Sequence, residues 1–256
     1  MRRNQALSRQ RAGETTFGPS LVYDSPDLAE QIAHLGFDWV WLDWQHGQFT
    51  ESTLNQALAR FLAVESAPLV RVKGNEPGTI NRVLDMGAMG VIVPMIQNAD
   101  QAAAAVAAAF YPPKGRRSAG GVRLELIGGS FEAYTQSAND EIMLVVMVET
   151  EAAIAEVRSI MSVPGVDVVL IGPFDLMTDV KANGRDAAHH ERLVEEVASA
   201  AQATGTAAGY VCATAEVAER RLAQGFRFIN YGLDHFVLLG GMRAIRDQTR
   251  AWAKGG

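Results

Sequence analysis

The feature that most constrains the fold is a regular alternation that runs along the whole chain. Eight short apolar runs rich in β-forming residues alternate with eight amphipathic or alanine-rich stretches. The predicted strands are 17–23, 39–43, 69–72, 90–95, 142–149, 166–172, 206–211 and 226–231. The predicted helices are 27–35, 51–64, 79–86, 100–110, 151–162, 189–204, 215–224 and 236–254. Strict alternation predicts parallel strands connected by helices, and eight such units close into a (β/α)8 TIM barrel of the α/β class.

The main structural alternative is an open, doubly wound parallel sheet. That architecture usually carries a glycine-rich turn after its first strand, and no such turn follows residues 17–23. The length of 256 residues also suits one barrel, which commonly needs about 250 residues. Because no low-complexity linker divides the chain, we expect a single domain over residues 1–256. Within it we expect a flexible segment at 1–14 and a long irregular stretch at 112–131.

Composition narrows the class of protein. The formal net charge is −6 and the basic residues are scattered, which argues against a nucleic-acid partner. Apolar runs such as 142–148 are too short to span a bilayer, and the basic start of the chain leads into no apolar signal segment. The single cysteine cannot form an internal disulfide. We therefore expect a cytoplasmic protein that acts on small molecules, with no membrane partner.

Polar side chains collect at the carboxyl ends of four predicted strands. The second strand ends in Asp43 and is followed by His46, the third carries Arg71, the fifth ends in Glu149, and the sixth leads to Asp175. In a barrel of this kind, catalytic groups come from the carboxyl ends of the strands and the loops that follow them. The sequence therefore predicts that these five side chains converge on one site.

Glu149 ends the apolar run IMLVVMV. A carboxylate in such surroundings is costly to bury unless it is paired or binds a metal ion. Together with Asp175 it offers the oxygen ligands that Mg²⁺ and Mn²⁺ prefer. The two acids therefore predict a divalent metal site with positions left open for a substrate.

Each candidate residue also has a structural interpretation when taken alone. Glu149 and Asp175 could cap the helices that follow them, and Arg71 could be a surface or interface cation. Asp43 and His46 could form a polar pair that satisfies a buried turn. Four neighbouring strand ends that all carry such groups are hard to explain in this way, so the catalytic interpretation is preferred for the set.

Several longer segments resemble one enzyme family. They are GFDWVWLDWQHG, NRVLDMGAMGVIVPMI, YPPKGRRSAGGVR, VETEAAI and VPGVDVVLIGPFDL. Over about residues 18 to 240 the chain resembles the HpcH/HpaI family of metal-dependent pyruvate aldolases. The resemblance implies that Glu149 and Asp175 bind Mg²⁺, Mn²⁺ or Co²⁺. It also implies that Arg71 binds the keto oxygen of pyruvate, and that His46, supported by Asp43, is the base acting on the aldol hydroxyl.

The resemblance implies further contacts and an assembly. The backbone around Gly172, Pro173 and Phe174 is expected to hold the substrate carboxylate. Asp85 is expected to reach the active site of a neighbouring subunit, since members of the family are commonly hexamers built from dimers. The apolar residues of the last predicted helix exceed a narrow core stripe, so we expect residues 236–256 in the oligomer interface. Cys212, at the end of the seventh strand, is a candidate substrate contact, with a small core residue as the alternative.

Three positions depart from the pattern of the family. Gln45 stands where a glutamate is usual, Met147 replaces a usual glutamine, and Phe174 replaces a residue that is typically small. These changes bear on the choice of substrate. The expected reaction is reversible cleavage of a 4-hydroxy-2-oxo acid to an aldehyde and pyruvate or a related acid such as hydroxypyruvate. Oxaloacetate decarboxylation, hydration or annulation through the same enolate, and non-catalytic binding are the alternatives.

Overall fold

The structure, a computed structural model, describes residues 1–254. Eight parallel strands form a closed barrel in which each strand pairs with its neighbours in sequence and β8 pairs with β1. The strands are β1 (Thr16–Leu21), β2 (Trp39–Asp43), β3 (Ala67–Arg71), β4 (Gly90–Val93), β5 (Met143–Val148), β6 (Val168–Ile171), β7 (Ala207–Cys212) and β8 (Phe228–Leu233). The predicted (β/α)8 barrel is confirmed, and every predicted strand is present.

Helices surround the barrel. They are α1 (Gln5–Arg11), α2 (Pro26–Ala33), α3 (Glu51–Arg60), α4 (Pro77–Asp85), α5 (Ala99–Ala109), α6 (Leu124–Gly128), α7 (Phe131–Glu141), α8 (Glu151–Ala155), α9 (Val157–Met161), α10 (Pro173–Ala182), α11 (Ala187–Thr204), α12 (Ala215–Ala223) and α13 (Asp234–Lys254). The predicted start of α2 holds, because the Ser25 side chain accepts a hydrogen bond from the backbone N–H of Leu28 and Pro26 is the first helical residue. The predicted helix 151–162 is divided at Glu156 into α8 and α9.

The prediction of a flexible segment at 1–14 is wrong. Residues Gln5–Arg11 form α1, which buries Ala6 and Leu7 against the apolar side chains inside the barrel. The Asn4 side chain caps this helix and donates hydrogen bonds to the carbonyl oxygens of Met89 and Glu141. The interior cluster includes the first residues of several strands, so α1 closes the amino-terminal end of the barrel.

The stretch 112–131, predicted to be irregular, contains the short helix α6 and ends where α7 begins. Arg117 lies in the non-helical part of this stretch, and its fully buried guanidinium lies over the Tyr111 ring at 4.7 Å.

Two layers of core hold the fold together, one inside the barrel and one between the strands and the helices. Trp39 stacks on Phe228 in the inner layer with ring centroids 4.1 Å apart. Within the described part of the chain, no helix is both long and apolar enough to cross a membrane.

Candidate active site

A cavity of about 190 Å³ opens at the carboxyl ends of the strands. It brings together most of the side chains that the sequence singles out. Its lining includes Asp43, His46, Arg71, Glu149, Gly172, Pro173, Phe174 and Asp175, together with Ser20, Val22, Trp41, Met147, Val211 and Leu233. Residues that are far apart in the chain therefore form one polar constellation at the end of the barrel where such enzymes carry their chemistry.

Arg71 and Asp43 form a bidentate ion pair. The two residues are direct partners in the register of β2 and β3. The Nε and Nη2 atoms of Arg71 donate to Oδ1 and Oδ2 of Asp43 at 2.9 and 2.5 Å. The guanidinium also lies over the Trp41 ring, 4.7 Å from its centroid. The group is thereby fixed in one plane, and its Nη1 is free for a ligand because no described residue accepts a hydrogen bond from it.

Asp43 also shapes the turn that carries His46. Its Oδ1 accepts hydrogen bonds from the backbone N–H groups of Gln45 and His46, at 3.1 and 3.2 Å. The Asp43 carboxylate therefore positions His46 through the backbone of the turn. The side chain that pairs with this carboxylate is that of Arg71. The His46 ring is exposed at the cavity. An imidazole in this position is within reach of a bound ligand and can act on it as a general acid or base.

Glu149 follows β5 directly and is buried, with 2 % of its surface exposed. Its Oε2 accepts a hydrogen bond from the backbone N–H of Met95 at 2.8 Å. Burial raises the pKa of Glu149 to about 7, and the nearby Asp175 carboxylate acts in the same direction. The Met95 amide and the charge of Arg71 oppose this shift in pKa. Burial therefore outweighs the stabilisation that Arg71 and the Met95 amide give to the ionised form of Glu149.

The junction between β6 and α10 places Asp175 beside Glu149. Gly172 precedes the helix, Pro173 is its first residue, and Asp175 lies in its first turn. A Cβ atom on Gly172 would lie 2.4 Å from Oε1 of Glu149, so only glycine fits between the strand and that carboxylate. The first turn of a helix also carries unpaired N–H groups and partial positive charge. This junction can therefore bind an anionic ligand such as a carboxylate.

The donor set at this site suits a hard divalent cation. Glu149 and Asp175 supply two adjacent carboxylates, and a buried carboxylate such as that of Glu149 is stabilised by a bound cation. Among the residues that the structure describes, no group of three or more His, Cys, Asp or Glu side chains is arranged to hold a metal ion. A cation here would complete its coordination with substrate and water, as Mg²⁺ often does.

Two predicted site residues lie outside the cavity. Asp85 ends α4 and accepts a hydrogen bond from the buried Arg117 at 2.7 Å. It does not line its own subunit's cavity, so its contribution to a neighbouring site stays a prediction. Cys212 is buried in the outer core layer, while its neighbour Val211 lines the cavity. Successive side chains of a strand point to opposite faces, and this alternation turns Cys212 away from the expected substrate contact.

Several residues of the site were not predicted, and two of them, Trp41 and Met95, contact its charged groups. Trp41 faces the barrel interior because it lies two residues from Trp39 and from Asp43 along β2 and so shares their face of the strand. That alternation is visible in the sequence and identifies Trp41 as an inward-facing residue. Met95 contributes through its backbone N–H, and nothing in its local sequence indicates the conformation that aims this group at Glu149.

The chain is similar in sequence to known proteins of one family. Residues 21–240 match the family described as HpcH/HpaI aldolase/citrate lyase. The 4-hydroxy-2-oxovalerate aldolase of Novosphingobium aromaticivorans is 36% identical, over 97% of this chain and 94% of that protein. The hydroxypyruvate/pyruvate aldolase of Chromohalobacter salexigens is 37% identical, over 87% of this chain and 88% of that protein.

A solved structure extends the similarity to three dimensions. It is an HpcH/HpaI aldolase/citrate lyase family protein from Burkholderia cenocepacia, with a TM-score of 0.88 and 30% identity. The superposition covers 96% of this chain and 99% of the other. The family match covers most of the barrel and includes every residue that lines the cavity except Ser20. The prediction from the sequence is confirmed, and the chain belongs to the HpcH/HpaI aldolase/citrate lyase family.

Proposed function

We propose that this protein is a divalent-metal-dependent aldolase that reversibly cleaves a 4-hydroxy-2-oxo acid. The products are an aldehyde and pyruvate or a related 2-oxo acid such as hydroxypyruvate. Relatives of similar length that carry aldolase names support this activity. The observation that carries the proposal is the single cavity lined by two adjacent acids, a fixed guanidinium and an exposed imidazole.

Glu149 and Asp175 are the residues that would hold the metal ion. When bound there, a divalent cation supplies a Lewis acid for the oxygens of a 2-oxo acid. The first residues of α10 line the same cavity, and the N–H groups of this turn, beginning with that of Phe174, bind the substrate carboxylate. Pro173 donates no N–H, so it contributes to shape alone.

Arg71 stabilises the charge that develops on the keto oxygen as the carbon–carbon bond breaks. Its Nη1 is available for that oxygen because Nε and Nη2 are held by Asp43. A donor that is already aimed at developing charge costs no reorganisation during the reaction. His46 removes the proton of the aldol hydroxyl during cleavage and returns it during addition. The Asp43 carboxylate positions both residues. It pairs with the guanidinium of Arg71, and it accepts a hydrogen bond from the backbone N–H of His46.

A pyruvate-release assay tests the proposal. The protein is incubated with a series of 4-hydroxy-2-oxo acids before and after exhaustive chelation with EDTA, and Mn²⁺ or Mg²⁺ is then added back. We expect activity that is lost on chelation and restored by the metal. Glu149→Gln and Asp175→Asn should lose both tight Mn²⁺ binding and most activity, whereas Glu219→Gln, an exposed acid on α12, should retain both. Full activity after exhaustive chelation would rule out the metal-dependent mechanism.

Decarboxylation of oxaloacetate or a related 2-oxo acid is the second candidate. The reaction forms the same enolate and uses the same carboxylate-binding turn and Arg71. It needs no proton transfer from a hydroxyl group, and the exposed His46 ring has no hydrogen bond to another described residue. Comparing the two activities in one preparation decides which is dominant.

We also propose that the protein is a homo-oligomer. Helix α13 is exposed along nearly its whole described length. Large exposed apolar side chains on it are Phe236, Val237, Leu238, Met242, Ile245 and Trp252. Exposed apolar patches of this kind mark protein–protein contacts. The expected interface segment 236–256 includes this helix, and its residues 255 and 256 lie outside the described part of the chain.

A further inference from the structure

Met95 has an unusual backbone conformation. Among residues 1–254 it is the one non-glycine residue with a positive φ, at +57°. This is the left-handed region, in which the Cβ atom of an L-residue crowds the backbone. Glycine adopts it freely, asparagine does so more readily than most residues, and β-branched residues avoid it. A methionine held there indicates that the surrounding structure requires this conformation.

The conformation directs one hydrogen bond to the candidate metal site. The chain leaves β4 at Pro94, and the N–H of Met95 donates to Oε2 of Glu149 at 2.8 Å. The next N–H, that of Ile96, donates to the carbonyl oxygen of Met147 at 3.0 Å. The loop is thereby tied to the end of β5 at two consecutive residues. Among the described residues, Met95 is the only one whose N–H group donates a hydrogen bond to the Glu149 carboxylate.

The side chain of Met95 takes no part in this contact. It is 47% exposed and does not line the active-site cavity. The role of the residue is therefore carried by its backbone. The other oxygen of the carboxylate, Oε1, faces Gly172 at the start of the segment that carries Asp175.

We propose that Met95 is a positioning residue, whose left-handed backbone holds Oε2 of Glu149 and so presents Oε1 on the side of Asp175, ready for a metal ion. This inference rests on the proposed metal-dependent function. It predicts that metal affinity depends on which backbone conformations residue 95 can adopt. The size and chemistry of the side chain should matter little.

The test compares substitutions that differ in their tolerance of positive φ. Met95→Gly and Met95→Asn permit the conformation, Met95→Val and Met95→Ile oppose it, and Met95→Leu is the side-chain control. The dissociation constant of Mn²⁺ is measured on metal-free protein by electron paramagnetic resonance, alongside kcat and KM. We expect Gly, Asn and Leu variants within about twofold of the wild type, and Val and Ile variants weaker by about tenfold or more.

The outcomes separate this inference from the proposed function. A wild type that binds Mn²⁺, with equal affinities in all five variants, would overturn the inference alone. So would a Gly variant as weak as the Val variant, because the side chain would then be responsible. If the Val and Ile variants do not fold, an ester in place of the amide at residue 95 removes the N–H donor, and unchanged Mn²⁺ affinity would overturn the inference. A wild type that binds no Mn²⁺ would overturn the proposed function and this inference with it.

Discussion

Arg71 makes contacts that an ammonium group cannot reproduce. It binds both oxygens of the buried Asp43 through Nε and Nη2 and lies over the Trp41 ring. We expect Arg71→Lys to be nearly as damaging as Arg71→Ala, because a point charge cannot bind Asp43 in this bidentate manner and also reach the substrate. Both variants should lose about 10²–10³-fold in kcat for aldol cleavage and for oxaloacetate decarboxylation. Steady-state kinetics with both substrates measure this.

His46 should affect only one of the two reactions strongly. Aldol cleavage requires that a hydroxyl proton be removed, whereas decarboxylation forms the enolate without that transfer. We therefore expect His46→Ala to lower the kcat of cleavage by about 10²-fold or more, and to leave decarboxylation within a few-fold of the wild type. Arg71→Ala, which should depress both reactions, is the control. Equal losses for His46→Ala would mean that the residue supports the structure of the site.

The pKa of Glu149, raised to about 7, makes metal binding sensitive to pH. The carboxylate must be deprotonated to bind the ion, so below about pH 7 a proton competes with the metal. The dissociation constant of Mn²⁺ should rise by about tenfold for each pH unit below this value, and this group should change it little above pH 7. Titration calorimetry between about pH 5 and pH 8 tests the expectation. An affinity independent of pH would contradict it.

The same shift affects the stability of the metal-free protein. The folded pKa of Glu149 is about 7 and its usual value is 4.5, so the folded state binds more protons between these values. The stability that this group contributes is complete below about pH 4.5 and is lost as pH rises through about 7. The melting temperature of the metal-free wild type should therefore fall between about pH 5 and pH 8. The fall should be smaller in Glu149→Gln, which cannot ionise at this position.

At the scale of elements, the junction between β6 and α10 is the most demanding part of the site. A Cβ atom at residue 172 would lie 2.4 Å from Oε1 of Glu149 and 2.9 Å from its Cδ. We expect Gly172→Ala to displace the carboxylate and weaken Mn²⁺ binding by about tenfold or more, an effect of about 1–3 kcal/mol. Gly78→Ala is the matched control, because its Cβ atom would meet nothing within 4 Å. Equal Mn²⁺ affinity in the two variants would show that the close approach is unimportant.

The strands were predictable because each is a compact apolar run between polar segments. Helices whose burial depends on tertiary contacts were not predictable in this way. The segment that forms α1 is short and basic, and its helix is stabilised by Leu7 inside the barrel. Helix α7 is mostly polar and has only Tyr134 and Ala138 buried, so its sequence lacks a strong apolar period. Helix α10 was not predicted, because the residues before it were interpreted as the end of the strand 166–172 and those that follow this strand as a loop.

The site was predictable to the extent that it follows from strand ends. Glu149, Asp175 and Arg71 were identified because charged residues that end apolar strands must meet at one end of a barrel. The assignment of Cys212 to the site rested on its place at a strand end and left out the alternation along β7, which turns its side chain into the outer core layer. The conformation of Met95 was beyond prediction, because neither a glycine nor an asparagine indicates the positive φ.

At the scale of the whole molecule, the two ends of the barrel differ. Helix α1 closes the amino-terminal end with apolar side chains, and the acids, Arg71 and His46 open at the other. The walls of the barrel are covered by helices that bury one face, except at α13. That helix leaves its apolar residues in contact with solvent. A protein of this composition gains stability if a second copy covers this surface.

We therefore expect an oligomer, with six times the protomer mass of 27.6 kDa as the expected size. Light scattering at micromolar concentration measures the mass, and a monomer would contradict the expectation. Ile245→Glu places a charge on the exposed apolar surface of α13 and should reduce the mass and the melting temperature. Gln248→Glu adds the same charge at an exposed polar position of the same helix and should change neither.

The same variant, Ile245→Glu, tests the role of Asp85. If Asp85 completes the site of a neighbouring subunit, the dissociated Ile245→Glu protein should lose aldolase activity. It should keep its Mn²⁺ affinity, because Glu149 and Asp175 lie in one subunit. Dissociation with full activity would show that each subunit works alone and that Asp85 acts only through its ion pair with Arg117.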